Sequence, residues 1–296
     1  MPRTVAGRRP LWLTLSRIAA LVGAVSMLTG VAFGPADAAP TVNFPAPTPV
    51  DFAVERGQPT FLVRCVHSHF AAYDPIVFPR QPGAAHEHEF FGSVTTNASS
   101  TVQSLVNGAN TCSLTDDDSG YWFPAMYEGG ERVEADKVSV YYRTMPGERD
   151  TVTPFPVGFR LIAGNSQSTV PQSVVRYNCG PGTPDKATPP KCPGGEFNVF
   201  LDFPECSNGQ LDSTDHKSHM AYRTLGNCPA THPILLPTIR AIVRYPSNGG
   251  NDVAFSSGSP TTFHGDFMNA WNPVTLTRVI RDCLIAGVSC GEVRDD

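Results

Sequence analysis

The chain has 296 residues, of which 41% are hydrophobic, so it can bury a sizeable core in one large or two small domains. Its formal net charge is −5, from 22 Lys and Arg against 27 Asp and Glu. Nucleic acids and anionic membrane surfaces both require a basic face, so this acidic balance argues against either partner.

Residues 1–38 have the parts of a secretory signal peptide. Four arginines supply the positive end, an apolar run follows over residues 18–33, and Ala36-Asp37-Ala38 provides a small-x-small cleavage site. The run is shorter than the ~20 residues of a membrane span. We therefore expect cleavage near Ala39 and a secreted, extracellular monomer without a membrane span, leaving open general or twin-arginine export. Removing this leader lowers Lys plus Arg from 22 to 18 and Asp plus Glu from 27 to 26, a net charge of −8.

Eight cysteines lie after the predicted cleavage site. An even number in an exported chain indicates disulfides, although sequence alone permits 105 pairings. Zinc is the competing use, but no Cys-x-x-Cys spacing is present. We expect sequential pairing, in which each bond closes one local loop: Cys65–Cys112, Cys179–Cys192, Cys206–Cys228 and Cys283–Cys290.

The residue pattern along the sequence predicts few helices and many short strands. Residues 39–58 are rich in Pro and Thr and predict an extended N-terminal lead-in. Asn272 as cap, Pro273 at the first position and an apolar stripe ending before Gly287 predict a C-terminal helix. Alternating polar and apolar residues predict strands at 60–65, 86–91, 137–143, 158–162, 173–177, 197–203 and 239–245. Residues 59–296 therefore predict a mainly β fold, a single β-sandwich or jelly-roll-like domain with long disulfide-pinned loops.

Histidines and acids are concentrated at three places far apart in sequence. Residues 211–222 hold two imidazoles and two carboxylates, and the other two places are a His-Glu-His-Glu run and a His-Gly-Asp run. Such clusters mark functional sites more often than they serve packing. The predicted catalytic residues are His86, His88, Asp215, His216, His219, His264 and Asp266.

Two chemistries fit these residues. In a strand His86 and His88 point to one face, so they can share a divalent metal ion, for which we take His216 as the third ligand. Without a metal the same imidazoles serve as acids and bases, each oriented by a carboxylate such as Asp215 or Asp266. The alternative is that these side chains only hydrogen-bond loop backbones.

Further side chains predict contacts to a glycan. Aromatic rings stack on sugar rings, and cations neutralise a uronate carboxylate. The predicted substrate-binding residues are Tyr121, Trp122, Lys217, Tyr222 and Arg223. The alternative for the first two is a turn that ends in core aromatics.

Several motifs occur together along the chain. They are Asp74-Pro75-Ile76-Val77, residues 86–92, Cys112 with residues 119–122, residues 203–206 with 211–213 and 215–222, Cys228-Pro229 with His232-Pro233, and residues 264–267 with Trp271. In combination they resemble the DUF1996 domain, a family of secreted fungal and actinobacterial proteins of unknown function. The resemblance covers about residues 61–290 and implies export and a family-specific site at the histidines and aspartates, but no reaction. One departure is Ser207, where many relatives have Trp.

The leading hypothesis is a polysaccharide-acting hydrolase or lyase that uses the histidine and aspartate cluster on an extracellular glycan or cell-wall polysaccharide. The other is a non-catalytic secreted protein that binds cell-wall glycan or metal. Sequence alone leaves open whether the protein is an enzyme. Substrate and metal identity also stay open.

Overall fold

The computed structural model describes residues 41–55, 57–145 and 152–296, so the predicted signal peptide lies outside the described residues. The helices are α1 (Val102–Val106) and α2 (Pro273–Val279), with a short 3₁₀ turn at Pro260–Thr262 and a π-type turn at Ile280–Ile285 that continues α2. The strands are β1 (Val50–Asp51), β2 (Thr60–Cys65), β3 (His67–Ala71), β4 (His88–Gly92), β5 (Gly120–Pro124), β6 (Met126–Glu128), β7 (Glu131–Val133), β8 (Lys137–Arg143), β9 (Arg160–Gly164), β10 (Val175–Asn178), β11 (Phe197–Asp202), β12 (Cys206–Ser207), β13 (Met220–Ala221), β14 (Ile234–Leu235), β15 (Thr238–Tyr245), β16 (Val253–Phe255), β17 (His264–Met268), β18 (Ser289–Glu292) and β19 (Arg294–Asp295).

Two large sheets form the body of the domain. One has six strands in the order β10-β11-β15-β8-β2-β18, and the other has five in the order β3-β4-β5-β17-β9. Their pairs are antiparallel except β18 with β2. This confirms the mainly β, sandwich-like fold.

The main core lies between the two sheets because each contributes one apolar face. On β15, Ile239, Ala241 and Val243 are buried while Arg240 and Arg244 are partly exposed, the alternation that the sequence predicts. Inward side chains of the five-stranded sheet, such as Tyr121 and Phe267, join the same core cluster. Burial of this continuous apolar surface is the main source of the fold's stability.

A second, smaller apolar cluster covers the outer face of the five-stranded sheet. Phe90, Trp122 and Met268 belong to it, together with the buried side of α1. Val42 and Phe44 from the predicted lead-in pack against it, and Val50–Asp51 pairs with the C-terminal strand β19. Both faces of this sheet are therefore largely covered.

Disulfides and the C-terminal helix agree with the sequence predictions. The four bonds join Cys65 to Cys112, Cys179 to Cys192, Cys206 to Cys228 and Cys283 to Cys290, so the sequential pairing is confirmed. Asn272 caps α2 by accepting a hydrogen bond from the Val274 N–H, and Pro273 is the first helical residue. Among the described residues no helix has the length and apolarity to cross a membrane.

Candidate functional site

Neighbouring strands bring two of the predicted polar motifs to the same end of the five-stranded sheet. Strands β4 and β17 both pair with β5: His88 lies opposite Pro124, and Asp266 lies opposite Trp122. Gly265 faces the main core, where a Cβ atom would come within 2.5 Å of the Phe123 ring. This glycine lets β17 pack closely while the residues on either side of it point to the outer face.

Three imidazoles meet at this end of the sheet. The ring centroids of His86 and His264 are 4.9 Å apart, those of His88 and His264 5.8 Å, and those of His86 and His88 4.3 Å. One ligand-type atom of each lies within 4.8 Å of the other two, and Asp74 and Asp266 form a second such group with His88. We call these five residues the His–Asp cluster.

Backbone carbonyls fix how two of these rings are protonated. The Nδ1 of His88 lies 2.8 Å from the Tyr73 carbonyl oxygen, and the Nδ1 of His264 lies 2.9 Å from the Thr262 carbonyl oxygen. A carbonyl oxygen only accepts, so each Nδ1 carries the hydrogen and each Nε2 keeps a free lone pair. The Nε2 atoms of His86 and His88 are buried without a hydrogen-bond partner.

The two carboxyl groups of the His–Asp cluster differ in their partners. Oδ1 of Asp74 accepts hydrogen bonds from the N–H groups of Ile76 and Val77, each at 2.9 Å. Both oxygens of Asp266 are buried, and no described residue gives either a hydrogen-bond partner. A buried polar group without a partner costs on the order of 1–3 kcal/mol, so packing does not account for Asp266.

Burial keeps the cluster's imidazoles neutral. It lowers the pKa of His86, lowers that of His264 to about 4, and holds that of His88 well below its usual range, with a further contribution from the neighbouring imidazoles. Burial also raises the pKa of Asp266 well above its usual range, and the nearby Asp74 carboxyl adds to this. Neutral imidazole is the form that binds metals.

Residues 211–222 lie beside the His–Asp cluster and contribute one cation directly. Lys217 donates from Nζ to the Gly164 carbonyl oxygen at 2.8 Å, and Gly164 pairs with His264. The Lys217 charge opposes the effect of burial on the pKa of Asp266.

His216 interacts with Asp212 and does not join the three imidazoles. Its Nδ1 lies 3.0 Å from each carboxylate oxygen of Asp212, which also accepts from Arg160 at 3.0 Å. The predicted metal triad placed His216 with His86 and His88, whereas the structure brings His264 to that pair. The carboxylate that orients His216 is Asp212, four residues earlier, and not its neighbour Asp215.

Asp215 and His219 stabilise the loop itself. Asp215 accepts from the Ser213 hydroxyl and from the N–H groups of Lys217 and Ser218, and these bonds lower its pKa. His219 is fully buried, with Nε2 2.7 Å from the Arg160 carbonyl oxygen and Nδ1 3.0 Å from the Ser213 hydroxyl. Both ring nitrogens of His219 are therefore already engaged.

The predicted glycan-contacting side chains have other surroundings. Tyr121 and Trp122 are 1% and 0% exposed, so neither presents a ring face to solvent. Tyr222 donates to the Asp202 carbonyl oxygen at 2.9 Å, and Arg223 forms an ion pair with Glu205 at 2.7 Å. Of the five, Lys217 is the one that the structure brings to the His–Asp cluster.

Two site residues were absent from the predicted site. Asp74 precedes a proline, a pair that is typical of turns and loops, although it begins one of the family motifs. Asp212 lies four residues before His216, whereas Asp215 is its direct neighbour in the sequence, so the sequence favoured Asp215 as the carboxylate that orients this ring. His216 has a left-handed backbone, φ 57°, and that turn decides which acid reaches its ring.

Polar residues of this loop line an open groove. It is lined by Gln210, Asp212, Ser213, Thr214, Asp215 and Ser218. Asp212 therefore belongs both to the groove wall and to the hydrogen-bonded pair with His216.

Fold and site together define a disulfide-bonded, two-sheet β protein with a buried cluster of histidines and aspartates on the outer face of one sheet. A family model described as a domain of unknown function, DUF1996, matches residues 74–271, and the chain belongs to this family. That range contains every residue of the His–Asp cluster. Searches of curated proteins and of solved structures found no match.

Proposed function

We propose that the protein is an extracellular hydrolase that acts on polysaccharide, with the His–Asp cluster as its reaction centre. The observation that carries the proposal is the set of unpartnered buried polar atoms on His86, His88 and Asp266. A fold that gained nothing from them would replace them with apolar side chains. Unpartnered donor and acceptor atoms that lie close together suit activation of a water molecule.

Hydrolysis is favoured over elimination by the positions of the cations. A lyase needs a free cation to neutralise the uronate carboxylate beside the proton that it removes. Lys217 is hydrogen-bonded to a backbone carbonyl, and Arg223 is paired with Glu205. Neither of the two cations predicted for that role is therefore free to take it.

A hydroxyl-rich polymer suits the groove next to the site. Its amide, hydroxyl and carboxylate groups can exchange hydrogen bonds with sugar hydroxyls, and no apolar side chain lines it. The acidic balance of the chain argues against a polyanionic substrate. The predicted signal peptide and the disulfides support an extracellular site of action.

The test is release of sugar ends from a panel of neutral and uronate-containing polysaccharides. We expect the wild-type protein to release reducing ends without unsaturated ends, and His264→Ala to lose at least ~100-fold in rate. His232→Ala is the matched control, because its ring bonds Thr231 and a loop carbonyl outside the cluster. Equal rates for His264→Ala and wild type would reject the assignment.

The second candidate is a non-catalytic glycan- or metal-binding protein. It is favoured by the low exposure of the cluster, in which His88 is 0%, Asp266 1% and His264 6% exposed. Glycan binding in the same panel with no release of sugar ends would support this function instead.

A further inference from the structure

We propose that the His–Asp cluster is a binding site for one divalent transition-metal ion of the zinc class, with His86, His88, His264 and Asp266 as ligands. The inference rests on the proposed function for its location and supplies the cofactor of that reaction centre. It is tested by binding alone, so either can fail without the other.

The spacing of the donor atoms fits one ion. Zinc–nitrogen bonds of 2.0–2.1 Å in a tetrahedron place neighbouring ligand atoms about 3.3 Å apart. Donor atoms of the three imidazoles already lie within 4.8 Å of one another. Small side-chain rotations that move each donor atom by up to about an ångström would bring them to this spacing.

The donors are held in their ligand form by groups outside the shell. The Tyr73 and Thr262 carbonyls take the Nδ1 hydrogens of His88 and His264, which aims a lone pair on each Nε2 inward. Metal-binding histidines almost always donate their other ring N–H in this way. The hydrogen bonds to Asp74 from Ile76 and Val77 likewise fix that carboxyl beside the shell.

Asp266 is the strongest indication of a cation site. Among the described residues no hydrogen-bond donor reaches either of its buried oxygens, and Asp266 is grouped with Asp74 and with His88, which also belongs to the group of three imidazoles. A bound divalent ion would pair with the carboxylate and occupy the orphaned Nε2 atoms of His86 and His88 at once. Within the described residues no hydrogen bond satisfies these atoms.

The donor set also selects the kind of ion. Three imidazoles with carboxylate oxygen suit zinc and similar transition metals, whereas calcium takes six to eight oxygen ligands. His88 belongs to both groups of donor atoms, but its Nδ1 is engaged by Tyr73. With one free nitrogen it can serve one ion, so the cluster is mononuclear.

Binding is measured on the full-length mature protein after treatment with a chelator. Isothermal titration with zinc chloride should give one equivalent for wild type and for His216→Ala, since His216 lies outside the shell. His86→Ala and His264→Ala should each weaken binding by ~100-fold or more. His232→Ala is the surface-histidine control, and calcium chloride should give no heat.

His86→Ala removes a partly exposed ring without a hydrogen bond at Nε2, so it keeps the test meaningful if a buried variant fails to fold. Asp266→Asn has nearly the same shape and should also bind zinc more weakly. Unchanged zinc affinity in His86→Ala and Asp266→Asn, or no binding by wild type, would overturn the metal site. Zinc binding without turnover would reject the hydrolase and leave the metal site standing.

Discussion

Asp117 is a carboxyl group enclosed by the core between the sheets. It accepts from the Tyr121 hydroxyl at 2.7 Å and from the Ser119 N–H at 3.2 Å. Burial nevertheless raises its pKa from 3.8 to about 7. The folded protein therefore holds a proton on Asp117 over a pH range in which the unfolded chain has released it.

The proton on Asp117 should make the free energy of unfolding depend on pH. A raised folded-state pKa stabilises the fold fully below pH 3.8, and this contribution is lost as pH rises through about 7. The free energy of unfolding should therefore gain a downward slope of up to about 1.4 kcal/mol per pH unit in that window. Asp117→Asn should flatten the slope. Urea unfolding of both proteins from pH 4 to 8 measures it, and parallel curves would contradict the assignment.

For individual residues, the sequence predicted which histidines and aspartates belong to the site better than it predicted which side chains contact each other. The choice of His86, His88, His264 and Asp266 as candidate residues follows from their chemistry, and strand alternation places His86 and His88 on one face. The pairing of His216 with Asp212 does not follow from chemistry, because it depends on one left-handed residue in a loop. Burial of Tyr121 and Trp122 agrees with the alternative that the sequence offered, a turn that ends in core aromatics, and Trp122 is buried in the second apolar cluster on the outer face.

At the scale of elements, strand β17 positions half of the site through one small residue. A Cβ on Gly265 would lie 2.5 Å from the Phe123 ring and 2.8 Å from Leu201, two buried side chains. We expect Gly265→Ala to lower the free energy of unfolding by about 1–3 kcal/mol and to weaken zinc binding, because β17 must shift outward. Gly194→Ala is the matched control, with no atom within 4 Å of its Cβ. Equal zinc affinity in the two variants would contradict the positioning role.

Asp202 joins four strands of the six-stranded sheet. From β11 it accepts from Arg240 on β15 at 2.6 and 2.9 Å, from Arg176 on β10 at 2.8 Å, and from Arg143 on β8 at 3.4 Å. Burial alone would raise its pKa, but these guanidinium groups together lower it. The carboxylate therefore contributes stability above its unfolded-state pKa of 3.8, and this is lost as pH falls through the lower folded-state value.

Removing that carboxylate leaves three guanidinium groups close together. We expect Asp202→Ala to lower the free energy of unfolding by about 2 kcal/mol at pH 7, between the values for exposed and buried pairs. The difference from wild type should shrink near pH 2. Asp185→Ala, which removes a more exposed partner of Arg176, should cost under ~1 kcal/mol. Urea titrations at both pH values measure the free energy of unfolding of each protein. The same difference between wild type and Asp202→Ala at pH 7 and near pH 2 would be inconsistent with the ion pairs.

The seven predicted strands and the C-terminal helix were predictable because both signals are local. Alternation along residues 239–245 and the cap at Asn272 each depend on a few neighbouring residues. The parallel pairing of β18 with β2 joins positions more than 220 residues apart and has no local signal. The same holds for the choice of His264 as the third imidazole.

At the scale of the whole molecule, the four disulfides stabilise the loops and leave the His–Asp cluster unlinked. The bond Cys206–Cys228 closes the segment that contains His216 and Lys217. We expect Cys206→Ser with Cys228→Ser to lower the free energy of unfolding by about 3 kcal/mol. Zinc stoichiometry should stay at one, because the proposed ligands lie on β4, β17 and the residues before β4. Thermal unfolding and zinc titration of the double variant check both statements, and loss of the zinc site would contradict the second.

The distance along the chain between His86 and His264, 178 positions, affects when the site can form. A chain still crossing the membrane has delivered the first two imidazoles long before the third, and two neighbouring imidazoles alone do not make a four-ligand site. Under general export, in which the chain crosses unfolded, the cluster would close only after nearly the whole polypeptide has emerged. The ion of the proposed site would then come from the medium outside the cell, and metal occupancy would record the conditions under which the protein completed its folding.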